Sequence, residues 1–367
     1  MTAAEPLRVA LTVEQCWQPV PGGSGTYVVE LGRELGLLPD VRVRGLAARH
    51  DGPPPADWTL DFPVDHAPLP RTALYEAWNR LRLPRAEHVL GDVDLVHAAT
   101  WAVPPTRRPL VVTVHDLAFL DDPSHFTRRG NAFFRSSLAR VVREAAAVIA
   151  PSRATADACL AVGLDARRTH VVPHGARVPA VTTDDVARFS ARYGLDRPYV
   201  LWCGTLEPRK NLPTLLAAYE RSGLHDDGTD LVLVGPQGWG DGAPASWGAG
   251  VRHLGPLSRP DLHAAYAGAR AFAFPSVREG FGLPVLEAMT HAVPVVTGAG
   301  TACAEVAGDA ALLVPVLDVD AWATALRAAT GAAHDELTAA SRERSRAFSW
   351  ATAARQTLDV YRSVLTA

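Results

Sequence analysis

Residues 271–298 read AFAFPSVREGFGLPVLEAMTHAVPVVTG. An apolar run, AFAFPS, gives way to a glycine loop, then to PVLEAMTH with helical character, then to a second apolar run, PVVTG. Two strands that are apolar throughout, separated by a helix, are what a parallel sheet covered on both faces requires. Working outward, the same alternation fills the chain. LRVALTV (7–13), VRVRGLAA (41–48), LVHAA (95–99), LVVTVHD (110–116), AVIAPS (147–152) and VVPHG (171–175) precede it, with helical stretches such as TYVVELGRELGLL (26–38) and FFRSSLARVVREAA (133–146) between them. After the turn-rich RVPAVTTDD the pattern restarts with YVLWCGT (199–205), LVLVGP (231–236) and VRHLGP (251–256), and it ends with ALLVPV (311–316). Two such runs meeting at residues 176–198 predict an α/β chain of two doubly wound parallel-sheet domains with a cleft between them. Ligands are expected at the strand ends that face this cleft.

Bulk properties narrow the setting. A chain of 367 residues exceeds what one core usually supports. Hydrophobic content of 48% and charged content of 20% are those of an ordinary globular protein, and a net charge of −3 offers nothing to nucleic acid. Cys16, Cys159, Cys203 and Cys303 are far apart, so neither a metal cluster nor a disulfide framework is expected, and a reducing compartment is. The N-terminal MTAAEPLRVALTVEQ lacks the shape of a signal peptide, and no apolar run approaches a membrane span. The expectation is a cytoplasmic protein. RTALYEAWNRLRLPR (71–85) is basic, with Leu74, Trp78 and Leu81 at helical spacing. It is the segment that would touch the inner face of the cell membrane or a lipid-linked acceptor, unless the stripe packs on its own domain.

Four strand-end segments carry chemistry. PVPGGSGTYVVELG (19–32) places Gly22, Gly23, Ser24 and Gly25 just before a helix whose N–H groups suit an anion, or forms a plain turn. A dinucleotide fingerprint fails here, because the third glycine is missing and the second strand ends in VRGLAARH without an acidic residue for a ribose. VTVHDLAFLDDP (112–123) ends a buried strand in His115-Asp116, where the histidine is either packed or catalytic. Asp121-Asp122 reads as solvated or acceptor-facing. GTLEPRKN (204–211) contains the only lysine of the chain; the other thirty-five basic residues are arginine, a bias typical of GC-rich coding. Pro208 starts a helix there and NLPTLLAAYE continues it, so Arg209 and Lys210 sit at its positive end, and something negative, such as a phosphate, is expected between them. In 278–296, Glu279 stands in the loop and Glu287 in the first helical turn, beyond Gly280-Phe281-Gly282-Leu283 and Pro284. Two carboxylates converging on one ligand suit vicinal sugar hydroxyls.

These segments together, GTLEPRKNL, E-G-F-G-L-P-x-L-E, GGSGTY, VTVHDLAF and VVPHG, resemble the motif set of the retaining GT-B glycosyltransferases, the nucleotide-sugar-dependent family that includes sucrose synthase and bacterial mannosyltransferases. TACAEVAGDAALLVP (301–315) also resembles the family's segment after the E-x7-E element. The resemblance implies a GT-B arrangement. Residues 1–178 would form the acceptor-binding domain, 179–348 the donor-binding domain, and the helix within 349–367 would pack back on the first. It implies a hexose transferred with retention from a nucleoside-diphosphate sugar, GDP-mannose preferred, to a hydroxyl of a glycan, lipid-linked or small-molecule acceptor, with no cofactor and no metal. Arg209 and Lys210 would grip the diphosphate, and Glu287 the ribose. Glu279, with backbone N–H groups at Gly280, Phe281 and Gly282, would contact the transferred sugar. His115 would reach the reaction centre, the Gly23–Gly25 loop the diphosphate, and the backbone around Gly255-Pro256-Leu257 the base; Gly204, Thr205 and Leu283 line the same donor site. Thr205 stands where many relatives have arginine, and His174 where asparagine is common. A non-catalytic nucleotide-sugar-binding subunit and a nucleotide-sugar epimerase remain alternatives. A phosphorylase would need the one lysine for pyridoxal, and a dinucleotide oxidoreductase lacks its fingerprint.

Overall fold

The computed structural model describes residues 5–121, 127–238 and 247–366. The chain divides into two compact units, Met1–Gly175 with Ser349–Ala367, and Ala176–Phe348. The first holds β1 (Leu7–Thr12), β2 (Val41–Ala47), β3 (Val64–His66), β4 (Leu95–Ala98), β5 (Leu110–Thr113), β6 (Ala147–Ala150) and β7 (Thr169–Val171). They form one sheet in the order β3-β2-β1-β4-β5-β6-β7, parallel at every pairing. The second holds β8 (Tyr199–Cys203), β9 (Asp230–Val234), β10 (Val251–His253), β11 (Ala271–Phe274), β12 (Val295–Gly298) and β13 (Leu312–Val314), in the order β10-β9-β8-β11-β12-β13, again parallel. Every residue of β4, β5, β6, β9, β11 and β12 is buried, which is why these strands read as unbroken apolar runs. Each sheet reverses its winding direction once, between β1 and β4 and between β8 and β11, and such switch points open crevices at the carboxyl ends of the strands.

The helix Gly22–Gly36 begins earlier than its spacing predicts, so Gly23, Ser24 and Gly25 form its first turn rather than a loop before it. The glycines serve packing: a Cβ on Gly25 would lie 2.7 Å from the Trp58 ring, and one on Gly32 2.4 Å from Phe62. The helix Trp350–Thr366 belongs to the first unit and lies against Gly22–Gly36. β3 is an addition that its short, half-buried VDH did not announce. Leu74 and Trp78 are buried in the core of the first unit, whereas Leu81 stays 70% exposed. Leu74 and Trp78 of the 71–85 stripe therefore pack on their own domain, the alternative that the sequence left open for this segment. An apolar helix face gains more from a ready core than from an interface. Of the Asp121-Asp122 pair, Asp122 lies outside the described residues.

A buried polar chain crosses this core. Tyr361 of the last helix meets His97 Nδ1 at 2.6 Å, His97 Nε2 meets Thr113 Oγ1 at 2.7 Å, and Thr113 meets the Tyr27 hydroxyl at 2.6 Å. Burial, with the nearby His115, pushes the His97 pKa down to about 3, so the ring is neutral and each nitrogen has one role, donor or acceptor. Tyr361→Phe leaves one buried nitrogen of His97 without its partner. The variant is expected to lose about 1–3 kcal/mol of unfolding free energy in a urea titration, with its fold unchanged by circular dichroism.

Candidate functional site

The site is built at the switch point of the second sheet. β8 ends at Cys203, and a single 3-10 turn, Pro208–Lys210, follows. The helix predicted to run on from Pro208 is interrupted: Asn211 adopts φ +54°, and the α-helix starts only at Leu212. The amide of Asn211 donates to the carbonyls of Pro275 (3.2 Å) and Val316 (2.7 Å) and its Oδ1 accepts from Thr214 (2.8 Å). It thus ties the turn to the ends of β11 and β13. The Arg209 carbonyl accepts from Val277 N (2.9 Å) on the facing loop. Backbone pinned on both sides leaves Arg209 and Lys210 little choice of direction.

Both cations point at Glu279. Lys210 Nζ lies 2.5 Å from Glu279 Oε1, Arg209 Nη1 lies 3.0 Å from the same oxygen, and Ser276 Oγ donates to it at 2.6 Å. Arg209 Nε also pairs with Glu207 at 2.7 Å. Lys210 is only 7% exposed and sits 4.9 Å from the centroid of the Phe274 ring. The negative partner expected between the two cations is therefore present in the protein itself, as Glu279. Burial alone would raise the pKa of this carboxyl, but Lys210 and Arg209 outweigh it and hold it at about 2. Around it, the Arg209 and Lys210 charges face two carboxylates, Glu279 and Glu207, so the cluster is close to neutral.

The loop Gly280–Gly282 enters the helix Leu283–Thr290 through Gly282, the N-cap, at φ +110°. A Cβ there would lie 2.8 Å from the Cys303 sulfur, so the position needs glycine twice over. Phe281 is buried against Phe348, with ring centroids 5.9 Å apart. Glu287 falls in the second turn of the helix rather than the first. Its carboxyl is pushed up to about 7 by burial, against the opposing pull of Arg259 and the Tyr266 hydroxyl. Cys203 feels both Glu287 and Lys210, which places the end of β8 between the two charged groups; burial first, then Glu287, pushes its thiol up to about 12. The neighbouring loops close on backbone. A Cβ at Gly235 would sit 1.9 Å from the Gly204 carbonyl, and one at Gly238 2.4 Å from that of Leu206 and 2.8 Å from Thr205 Cγ2. Gly255, at φ +71°, gives its carbonyl to Gly235 N at 2.9 Å, and Leu257 follows in the same loop.

Gly23, Gly25 and His115 belong to the first unit. His115 Nε2 donates to the Ala99 carbonyl at 2.9 Å at the end of β4, which fixes its tautomer and leaves Nδ1 as the acceptor side. Its pKa is lowered by burial, although the Ala99 carbonyl and Asp116 oppose this. The ring meets Tyr27 edge-on at 4.8 Å and His174 at 5.6 Å, and His174 stacks on Trp350. Asp116 Oδ1 accepts from Ala118 N. Sequence reasoning passed over Ser276, Asn211, Glu207, Cys203 and Tyr266, because serine, cysteine and tyrosine at strand and helix ends are too common to single out; the N of R-K-N was the one available signal. Among the described residues, no group of three or more His, Cys, Asp or Glu side chains could hold a metal ion.

Burial of the Glu287 carboxyl is expected to cost stability at high pH. Its folded pKa of about 7 lies above the usual 4.5, so the folded state binds the proton more tightly, and stability falls as pH rises from 4.5 to 7. The penalty is complete above pH 7 and absent below 4.5. Glu287→Gln is expected to be more stable than the parent at pH 8 by about 1–2 kcal/mol, discounted for the partial exposure of the side chain, and equal to it at pH 4. Urea midpoints across pH test this.

The family model of the glycosyl transferases group 1 matches residues 197–330, and that of glycosyltransferase family 4 matches residues 21–178. The chain is 29% identical to O-antigen chain mannosyltransferase B of Escherichia coli, over 98% of each. It is 30% identical to a D-inositol 3-phosphate glycosyltransferase of a Nocardioides species, over 93% of this chain and 85% of the relative. In fold it resembles sucrose-phosphate synthase from Thermosynechococcus elongatus, with a TM-score of 0.75 at 23% identity, over 98% of this chain and 99% of the other. The chain belongs to the glycosyl transferases group 1 family, and it is a glycosyltransferase.

Proposed function

We propose that this glycosyltransferase moves a hexose, with retention of configuration and without a metal ion, from a nucleoside-diphosphate sugar to a hydroxyl of a glycan, lipid-linked or small-molecule acceptor in the cytoplasm. The observation that carries the reading is the convergence of Lys210, Arg209 and Ser276 on one oxygen of Glu279 at the switch point of the second sheet. Two cations at a strand end, on a turn pinned by Asn211 and by the Arg209 carbonyl, are what a leaving diphosphate needs. Charge develops on that group as the glycosidic bond breaks, and preorganised cations stabilise it most in the transition state. Arg209 offers a planar fork and Lys210 a point charge.

Glu279 does not suit the part of a glycosidase-type nucleophile. Its Oε1 is shared by two cations and a hydroxyl, and its pKa near 2 marks a weakly basic carboxylate. We assign it to holding the cations in place and to accepting from hydroxyls of the transferred sugar. A phosphate oxygen of the donor then takes the proton of the attacking acceptor hydroxyl on the same face. Glu287 accepts from the ribose, and the loop of Gly255 and Leu257 lies beside the base. GDP-mannose is the preferred donor in this reading; the name of the Escherichia coli relative, a mannosyltransferase, supports the sugar. None of the described helices is long and apolar enough to cross a membrane.

Calorimetric titration with GDP, UDP, dTDP and ADP tests the donor site. One diphosphate is expected to bind the parent, and Lys210→Ala to weaken it by about tenfold or more. Glu279→Gln, which leaves the buried Lys210 without its counter-charge, is expected to unfold at lower urea than the parent and to lose turnover. Equal binding by the Lys210→Ala variant would sink the assignment. The anomeric configuration of the product, followed by NMR during turnover, tests retention.

A further inference from the structure

Behind the Glu287 carboxyl lies a second layer of buried polar groups. They stand on the helix Arg259–Ala267, which packs against the helix Leu283–Thr290. We propose that Tyr266 is a positioning residue of the donor site: its hydroxyl donates to the ionised Glu287 carboxylate and holds it aimed when a sugar nucleotide binds. The inference rests on the reading of Glu287 as the ribose contact and adds the residue that acts through it.

The geometry runs along one face of the helix Leu283–Thr290. The amide of His291, its C-cap, donates to the Glu287 carbonyl at 3.1 Å, so the two side chains stand one turn apart on the same face. The Tyr266 ring lies nearly parallel to the His291 imidazole, 10° apart with centroids at 6.0 Å, and it packs on Phe272 of β11 at 5.4 Å. His291 is fixed in turn by His263, whose Nδ1 meets His291 Nε2 at 3.1 Å. Burial pushes both imidazoles down to about 4, so they are neutral, one ring donating and the other accepting. A tyrosine side chain spans more than the roughly 5.4 Å of one helical turn. Seated over His291, it brings its hydroxyl to the level of Glu287, beside that carboxyl and the Cys203 thiol at the end of β8.

Folding alone gives no reason for a hydroxyl here. Tyr266 is wholly buried, and among the described residues its oxygen closes no hydrogen bond of full geometry, although a carboxyl and a thiol lie beside it. Phenylalanine would fill the same space against Phe272 and His291 without burying an ill-paired polar atom. The hydroxyl gains its use when the neighbouring carboxyl becomes an anion. A neutral acid carries a donor of its own, whereas a carboxylate shielded from water needs donors. Glu287 is half-buried, so once ionised it accepts from the ribose on its open side and from Tyr266 behind.

The titratable and charged groups around Glu287 are Tyr266 and Arg259 on the helix Arg259–Ala267, Cys203 on β8 with Lys210 beyond it, and His291 and His263 under the tyrosine ring. Between pH 6 and 9 Cys203, Tyr266, His263 and His291 each keep one protonation state. The thiol is pushed up to about 12 and the phenol well above its usual range, both by burial, and the histidines stay neutral.

The test is the pH profile of sugar-nucleotide binding, measured by titration calorimetry on the full chain. GDP-mannose and UDP-glucose serve as probes, because a diphosphate esterified at both ends does not itself titrate in this range. For the probe that binds, affinity in the parent is expected to rise by up to roughly tenfold from pH 6 to pH 8 as Glu287 ionises, then to level off. In Tyr266→Phe the rise is expected to move upward by about one pH unit, because the carboxylate has lost a donor. Affinity is then several-fold lower at pH 7 and returns to the parental value near pH 9. Glu287→Gln, which cannot ionise, is expected to lose the rise altogether. Circular dichroism checks that each variant is folded. Damage to packing would weaken binding at every pH alike, so recovery at high pH marks a positioning role. A Tyr266→Phe profile that superimposes on the parent's, or a loss equal at every pH, overturns the proposal; a flat Glu287→Gln profile then leaves the ribose contact standing. A flat profile in the parent, or a rise that persists in Glu287→Gln, overturns it whatever Tyr266→Phe does. Binding of neither probe overturns it as well, and the donor-site reading falls with it only if no nucleoside diphosphate binds either.

Discussion

The second unit depends on one ion cluster, a carboxylate oxygen shared by a lysine, an arginine and a serine hydroxyl at the turning point of a parallel sheet. An ammonium that is 7% exposed is costly to bury without an opposite charge beside it, and Glu279 supplies that charge. The converse also holds, because burial alone would drive Glu279 towards its neutral form. Removing either partner strands a buried charge, which is costlier than never having buried the pair. The elements around the cluster follow from this need. Asn211 pins the turn, Phe274 at the end of β11 faces the ammonium, and the Arg209 carbonyl holds the opposite loop.

The glycines of this unit are there for closeness as much as for turning. The Gly235 backbone passes so near the Gly204 carbonyl that no side chain fits, and Gly282 meets Cys303 in the same way. Loops after adjacent strands can then lie backbone to backbone, which brings their N–H and carbonyl groups to one rim. Glu287 shows the opposite compromise. Its position in the second helical turn, near Tyr266 and Cys203, keeps it partly from water and raises its pKa, a cost to folding of the kind that sites for ligands often bear.

In the first unit the organising element is polar and central. Tyr27, Thr113, His97 and Tyr361 run through the sheet as one chain of short hydrogen bonds, linking the helix Gly22–Gly36 to the last helix of the protein. Its members come from positions 27, 97, 113 and 361, and nothing local in the sequence connects them. Beside it the Tyr27, His115, His174 and Trp350 rings pack together, so the histidine at the strand end is held by ring contacts and a carbonyl rather than by a carboxylate.

Much of the fold was legible in the sequence because burial on both faces leaves an unbroken apolar run, as in the six fully buried strands β4, β5, β6, β9, β11 and β12; β3, a three-residue edge strand that is half-buried at Val64 and Asp65 and exposed at His66, left no such mark. The charged residues of the site were legible too, since a single lysine next to an arginine, and two glutamates flanking Gly-Phe-Gly-Leu, are rare enough to notice. The sequence by itself determined the class of sheet, the strand ends and the residue types available there. Tertiary structure alone decided which charges meet, since pairing between residues 210 and 279 depends on β8 and β11 being neighbours. It also decided where helices start and break, at Gly22 and Asn211, and which face of 71–85 is buried, because those outcomes rest on what packs opposite each residue. A sequence states the periodicity of a surface; only the folded chain supplies the partner that surface is spent on.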